Sequence, residues 1–193
     1  MRSHHRLLLA AIICLLALGF LTNTSSAQST TSAVTTTKIY LPILAGGSGL
    51  LSAEEQAMAD QVLTLVNAER AKVGCAPLQL NEQLTVAAYN HSKDMALNNF
   101  FSHTGSAGTT LSQRVAAAGY KGSYVGENIA AGYSTPEAVM NGWMNSEGHR
   151  RNILNCTYVD IGIGYVYQPD DAPLAGASWP YYRYWTQVFG APR

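Results

Sequence analysis

Val159-Asp160-Ile161-Gly162-Ile163-Gly164-Tyr165-Val166-Tyr167 sets Val159, Ile161, Ile163, Tyr165 and Tyr167 in alternation with Asp160, Gly162, Gly164 and Val166. A period of two belongs to a β-strand, whose successive side chains leave on opposite faces, and here it predicts a strand with a one-sided apolar face. Residues 181–189, YYRYWTQVF, are dense in aromatic side chains and read as a second strand. The joining segment 170–180 contains Pro173, Gly176 and Pro180, which interrupt any helix between the two. Adjacent strands without a crossover helix predict an antiparallel hairpin rather than a βαβ unit.

Upstream the pattern turns helical. Ser52-Ala53-Glu54-Glu55 has the form of a capping box, and Met58, Val62, Leu65, Val66 and Glu69 follow helical spacing to about Lys72, with Gly74 as the stop. A second helix is expected over Asn81–Leu97, a short third over Leu111–Ala118 closed by Gly119, and a fourth over Thr135–Asn145 with Pro136 in its first turn. Val125–Ala131 reads as a short β-like piece. Helices first and strands last give an α+β class.

The N-terminus is of another kind. Arg2, His4, His5 and Arg6 precede the apolar run Leu7–Leu21, and Ser25 and Ala27 supply a small-x-small cleavage site. That is the layout of a signal peptide over residues 1–27, and the apolar run is shorter than the ~20 residues of a membrane span. Residues 28–51 follow as a linker, rich first in Ser and Thr and then in Gly, and the compact domain is expected over 52–193. Loss of the leader removes two of the 12 basic residues and none of the 12 acidic ones, so the mature net charge is −2. No cationic run is longer than Arg150-Arg151, which excludes nucleic acid as the main partner. No other apolar run is long enough for a bilayer, so a secreted, extracellular, soluble and monomeric product is expected. Two of the three Cys remain in the mature chain, Cys75 and Cys156. An even count in an exported protein predicts one disulfide between them; the alternative is two free buried thiols.

Chemistry-bearing residues are few. His103 lies in FFSHTG just after a helix, His149 in SEGHR just after another, and Glu127 enters an apolar strand in GENI. Two neutral imidazoles and one carboxylate with an open fourth position compose a mononuclear Zn site. The same three residues also serve as separate caps or loop-backbone partners, and spacing alone does not choose between these readings. His91, mid-helix, reads as a packing residue. Neither Ser102 nor Ser146 lies in a G-x-S-x-G elbow, which argues against a serine hydrolase.

Taken in order, FFSHTG at 100–105, QRVAAAGY at 113–120, GENIA at 126–130, WMNSEGHRRNIL at 143–154, IGIGY at 161–165 and YWTQVFG at 184–190 resemble the CAP superfamily. Its domain is also called SCP, and it includes cysteine-rich secretory proteins, antigen 5 allergens and plant pathogenesis-related proteins. The short loops and the GHRRNIL form are similar to its bacterial secreted branch. The resemblance implies a three-layer α-β-α sandwich around a small antiparallel sheet. It also implies a cleft with two His and two acidic residues, where some members bind Zn or another divalent cation. His103, Glu127 and His149 fall on three of the four positions. The fourth, three residues after Trp143, is Ser146, so that acid is missing; Glu147 is the next residue, but one step on a helix turns its side chain by about 100°. Asn128, Ser146 and Glu147 complete the candidate cleft.

The family has no single activity, and three readings follow. One is a non-catalytic extracellular binding module holding a divalent cation and an apolar ligand, a lipid or another cell-envelope component. The second is a metal-assisted hydrolase with Glu127 as base. The third is an interaction domain with a vestigial cleft.

Overall fold

The computed structural model describes residues 50–191. The expected signal peptide and all but the last two residues of the linker lie outside that range. In chain order the elements are α1 (Ala53–Lys72), β1 (Gln79–Leu80), α2 (Glu82–Leu97), α3 (Leu111–Ala117), β2 (Tyr124–Ala131), α4 (Pro136–Met144), α5 (Glu147–Ile153), β3 (Asp160–Tyr167) and β4 (Arg183–Ala191).

The helix starts follow from side chains that satisfy the free N–H groups of a first turn. Ser52 Oγ accepts from Glu55 N at 3.2 Å while Glu55 Oε2 accepts from Ser52 N at 2.7 Å, closing the capping box of α1. Asn81 caps α2, Thr110 with Gln113 boxes α3, and Thr135 caps α4 ahead of Pro136.

The sheet has the order β1-β3-β4-β2. β4 runs antiparallel to both β2 and β3, so Glu127, Val188 and Gly162 share one row, and Asn128, Gln187 and Ile163 the next. α2 and α3 cover one face; α1, α4 and α5 cover the other, which gives the three layers of an α-β-α sandwich. Between α2 and the sheet lie Leu84, Ala88, Met95, Tyr184 and Val188; on the other side lie Val62, Val139, Trp143, Ile163 and Trp185. Burying a side chain of this size contributes about 1.5–3 kcal/mol.

Three expectations need correction. The sheet is mixed: β1 pairs in parallel with β3, Gln79 against Asp160 and Leu80 against Ile161. Two residues carry no periodicity, and their strand forms because Asn67 binds the preceding Leu78 through both its N–H and its carbonyl. Secondly, the 143–154 segment does not leave its helix for a loop. Asn145 ends α4, Ser146 is the N-cap of α5, and His149 is therefore helical. Thirdly, β3 is buried on both faces rather than one. A Cβ on Gly162 would fall 2.0 Å from the Leu84 carbonyl carbon, and one on Gly164 would fall 2.4 Å from Tyr89 N. The glycines of the alternation bring the α2 backbone directly onto the strand.

Cys75 and Cys156 form a disulfide across 81 residues, with Cα atoms 5.0 Å apart. Beside it, the fully buried Arg70 guanidinium donates to four carbonyls: Ala76, Ile153, Asn155 and Tyr158, at 2.8–3.0 Å. Both devices tie the end of α1 to the segment leaving α5. Among the described residues no helix is long and apolar enough to cross a membrane.

Candidate functional site

β2 is an edge strand, and its middle residues carry the site. The register places Glu127 on the α2–α3 face, where its side chain is only 3 % exposed. His103 Nδ1 lies 2.8 Å from Glu127 Oε1. A carboxylate only accepts, so Nδ1 carries a proton and donates it to Glu127. Arg114, from the last turn of α3, donates Nη2 to Glu127 Oε2 at 2.6 Å and Nη1 to the His103 and Thr109 carbonyls. His91, fully buried in α2, points Nε2 at the Ser102 carbonyl at 2.9 Å and stands 3.9 Å from Glu127 Oε1.

Burial alone pushes the Glu127 carboxyl up. The His103 hydrogen bond and the Arg114 and His91 charges outweigh it, so the group lies below its ordinary value and stays ionised. Burial holds His91 below the ordinary imidazole value despite the pull of Glu127. His149 is lowered by burial and then by the charge of His103.

His149 reaches the same edge from the opposite layer. Asn128 Nδ2 donates to the His149 carbonyl at 3.1 Å and to Gln187 Oε1 at 3.0 Å, and Asn152 Nδ2 donates to Asn128 Oδ1 at 2.8 Å. This amide chain fixes α5 to β2 and β4. A cleft of about 310 Å³ opens beside it, lined by Phe101, Ile129, Trp143, Ser146, His149 and Tyr181, among others.

His103, Glu127 and His149 thus gather at one edge. Of the further candidates, Ser146 lines the cleft. Asn128 is fully buried and supports His149 without facing the opening. Glu147 is 81 % exposed and faces Arg151 at 3.6 Å, so it does not replace the missing acid. Sequence reasoning assigned Arg114 no role and His91 a packing role. A lone Arg on a short Ala-rich helix was the one signal for the first; nothing local signalled the second.

The Glu127 carboxylate has no free oxygen to offer a divalent cation. Both Glu127 oxygens are engaged, one by a guanidinium that repels a second cation. Among the described residues no group of three or more His, Cys, Asp and Glu is arranged to hold a metal ion.

The sequence model of the CAP, or cysteine-rich secretory protein, family matches residues 63–189. The uncharacterized protein YkwD of Bacillus subtilis (strain 168) is 45 % identical over 106 residues, which are 55 % of this chain and 41 % of that protein. The uncharacterized membrane protein YlbC of the same organism is 39 % identical over 104 residues, 54 % of this chain and 30 % of that one. The match thus spans less than half the length of either relative. Among solved structures, an extracellular protein containing a SCP domain from Bacillus anthracis str. Ames superposes with a TM-score of 0.60 at 33 % identity, over 74 % of this chain and 45 % of that chain. An outer surface protein of Borrelia burgdorferi shares the fold with a TM-score of 0.62 at 20 % identity, over 77 % of this chain and all of that one.

Proposed function

The chain belongs to the CAP family of cysteine-rich secretory proteins, and from that membership we propose that it is an exported binding module without catalytic activity. Its cleft takes the apolar part of an extracellular ligand against Phe101, Ile129, Trp143 and Tyr181, with His149 among its lining residues. The extracellular SCP-domain relative from Bacillus anthracis supports export. A cleft of about 310 Å³ is of the size that small ligands occupy.

One observation carries the non-catalytic reading: the Glu127 carboxylate is engaged at both oxygens and holds its charge. A general base must offer a free lone pair to the proton it removes. Glu127 has none directed to the opening, and its role is to hold the His103 ring. A divalent cation at His103 and His149 is then an accessory, held weakly by two imidazoles.

Calorimetric titration of the mature protein with Zn²⁺, on both sides of the imidazole pKa of about 6.5, tests the cation site. Weak binding should fade at the lower pH and disappear in His149→Ala. Ser146→Glu, which returns an acid to the cleft, should tighten it. Equal binding by His149→Ala would place the ion elsewhere. Incubation with casein and short-chain esters in the presence of Zn²⁺ tests catalysis. Turnover that Glu127→Gln abolishes would replace the binding reading with the hydrolase.

A further inference from the structure

Most of the aromatic surface that this fold leaves in water lies at one end of the sheet. Phe101, Tyr133, Tyr167, Trp179 and Tyr182 are each at least 37 % exposed, and Trp179 reaches 80 %. Tyr133, Trp179 and Tyr182 line a groove of about 620 Å³ between the β2–α4 turn and the β3–β4 loop, with Tyr181 and Arg183. Tyr181 continues the surface to Phe101, ring centroids 6.3 Å apart. Rings of this size normally fold inward, so their exposure in one place marks a contact surface.

The loop is held in a costly conformation to form this surface. Tyr182 has φ +61°, a left-handed backbone that a bulky side chain rarely adopts. Asp171, itself buried, fixes it: Oδ2 accepts from Tyr182 N at 2.8 Å and from Tyr184 Oη at 3.1 Å. The Tyr182 carbonyl in turn accepts from Gln168 N at 2.7 Å.

Charge and shape select the occupant. No acidic residue lines the groove, and its one cation, Arg183, lies over the Tyr167 ring at 4.6 Å. A cationic partner finds no counter-charge, and a polyanion finds a single, already stacked guanidinium. The groove is broad and open, so a hydrocarbon tail laid in it would keep much of its surface in water. A pyranose ring suits the same surface: its C–H face packs on the electron-rich face of an aromatic ring while its hydroxyls remain hydrated. We propose that this groove is a saccharide platform for a chain of neutral β-linked pyranose units, with Trp179 and Tyr182 as the stacking rings. The groove adjoins the histidine cleft, sharing Tyr133 and Tyr181 with it, and extends beyond it to Trp179 and Tyr182.

The test uses the full mature chain with cellohexaose and hexa-N-acetylchitohexaose, both neutral, by calorimetry and Trp fluorescence. Trp143 and Trp185 are 1 % and 0 % exposed, so a blue shift on binding reports Trp179. At least one hexasaccharide should bind. Trp179→Ala and Tyr182→Gly should each weaken binding about tenfold, the glycine removing the ring while keeping the backbone. Trp179→Phe should retain most of the affinity, and His103→Ala all of it, which separates this platform from the cleft. Absence of binding to both sugars, or parental affinity in Trp179→Ala, overturns the proposal. So does sedimentation with phosphatidylcholine vesicles that Trp179→Ala abolishes while neither sugar binds, an outcome that makes the partner a bilayer.

Discussion

The Arg114 guanidinium reaches from α3 to the Glu127 carboxylate on β2, with Nη2 2.6 Å from Oε2 and both side chains at most 10 % exposed. The pair keeps an ionised carboxylate beside His103, so that the imidazole is held through its Nδ1 proton. The His103 hydrogen bond, and then the Arg114 and His91 charges, account for the ionisation of a group that burial alone would neutralise.

Removing one member of this pair should cost more than removing both. Arg114→Met leaves a buried carboxylate without its cation, a loss of about 3–5 kcal/mol by urea unfolding. Arg114→Met with Glu127→Gln should recover part of that loss, because no unpaired charge remains. Additive losses in the double-mutant cycle would mean that the two groups are not coupled.

Stability should fall on mild acidification. His91 is held below its ordinary value of 6.5 by burial, so the unfolded chain takes up a proton before the folded one does. Its contribution is full above about 6.5 and is lost as pH falls from there through the folded value. His149, also lowered, adds to the same slope, and Glu127 and Asp94 extend the loss into the carboxylate range. His91→Asn should show a shallower decline below pH 6.5, read by thermal melts across that range. An unchanged slope would show that His91 does not titrate with unfolding.

Arg70 and the disulfide brace the same two segments. Closing a loop of 81 residues contributes about 4–5 kcal/mol in the chain-entropy model. Arg70→Ala strips donors from four carbonyls and should cost about 1–3 kcal/mol for each one left buried without a partner. Arg70→Lys should rescue little, since an ammonium lacks the planar fork that serves carbonyls in several directions. Combined with Cys75→Ser and Cys156→Ser, Arg70→Ala should give a loss that differs from the sum of the separate losses. Simple additivity would indicate independent braces.

The glycines of the chain should respond in opposite ways. Gly164→Ala drives a Cβ into the α2 backbone and should cost about 1–3 kcal/mol or more, with displacement of α2. Gly148, in α5, has open space about its Cα, so Gly148→Ala should stabilise the helix by about 0.5–1 kcal/mol. Melting temperatures of the two variants beside the parent decide both. A neutral Gly164→Ala would show that the close approach of α2 and β3 is not fixed.

The sequence by itself determined the helices whose caps are written as local pairs, Ser52 with Glu55 and Thr110 with Gln113, and the two long strands whose period and aromatic content are local. It also pointed to His103 beside Glu127, which share a hydrogen bond, and to the pairing of Cys75 with Cys156. Tertiary structure decided the rest. β1 exists only because Asn67 and β3 hold its backbone. The Gly162 and Gly164 positions, which alternation alone marks as a bare face, became the points where the α2 backbone lies directly on the strand. Glu127 acquired its partner from Arg114, a residue 13 positions away on another element. Caps, periods and turn residues act over a few bonds and are legible in order along the chain. A buried charge answers to whatever the folded layers bring within a few ångströms, and that neighbour is set by packing rather than by sequence distance.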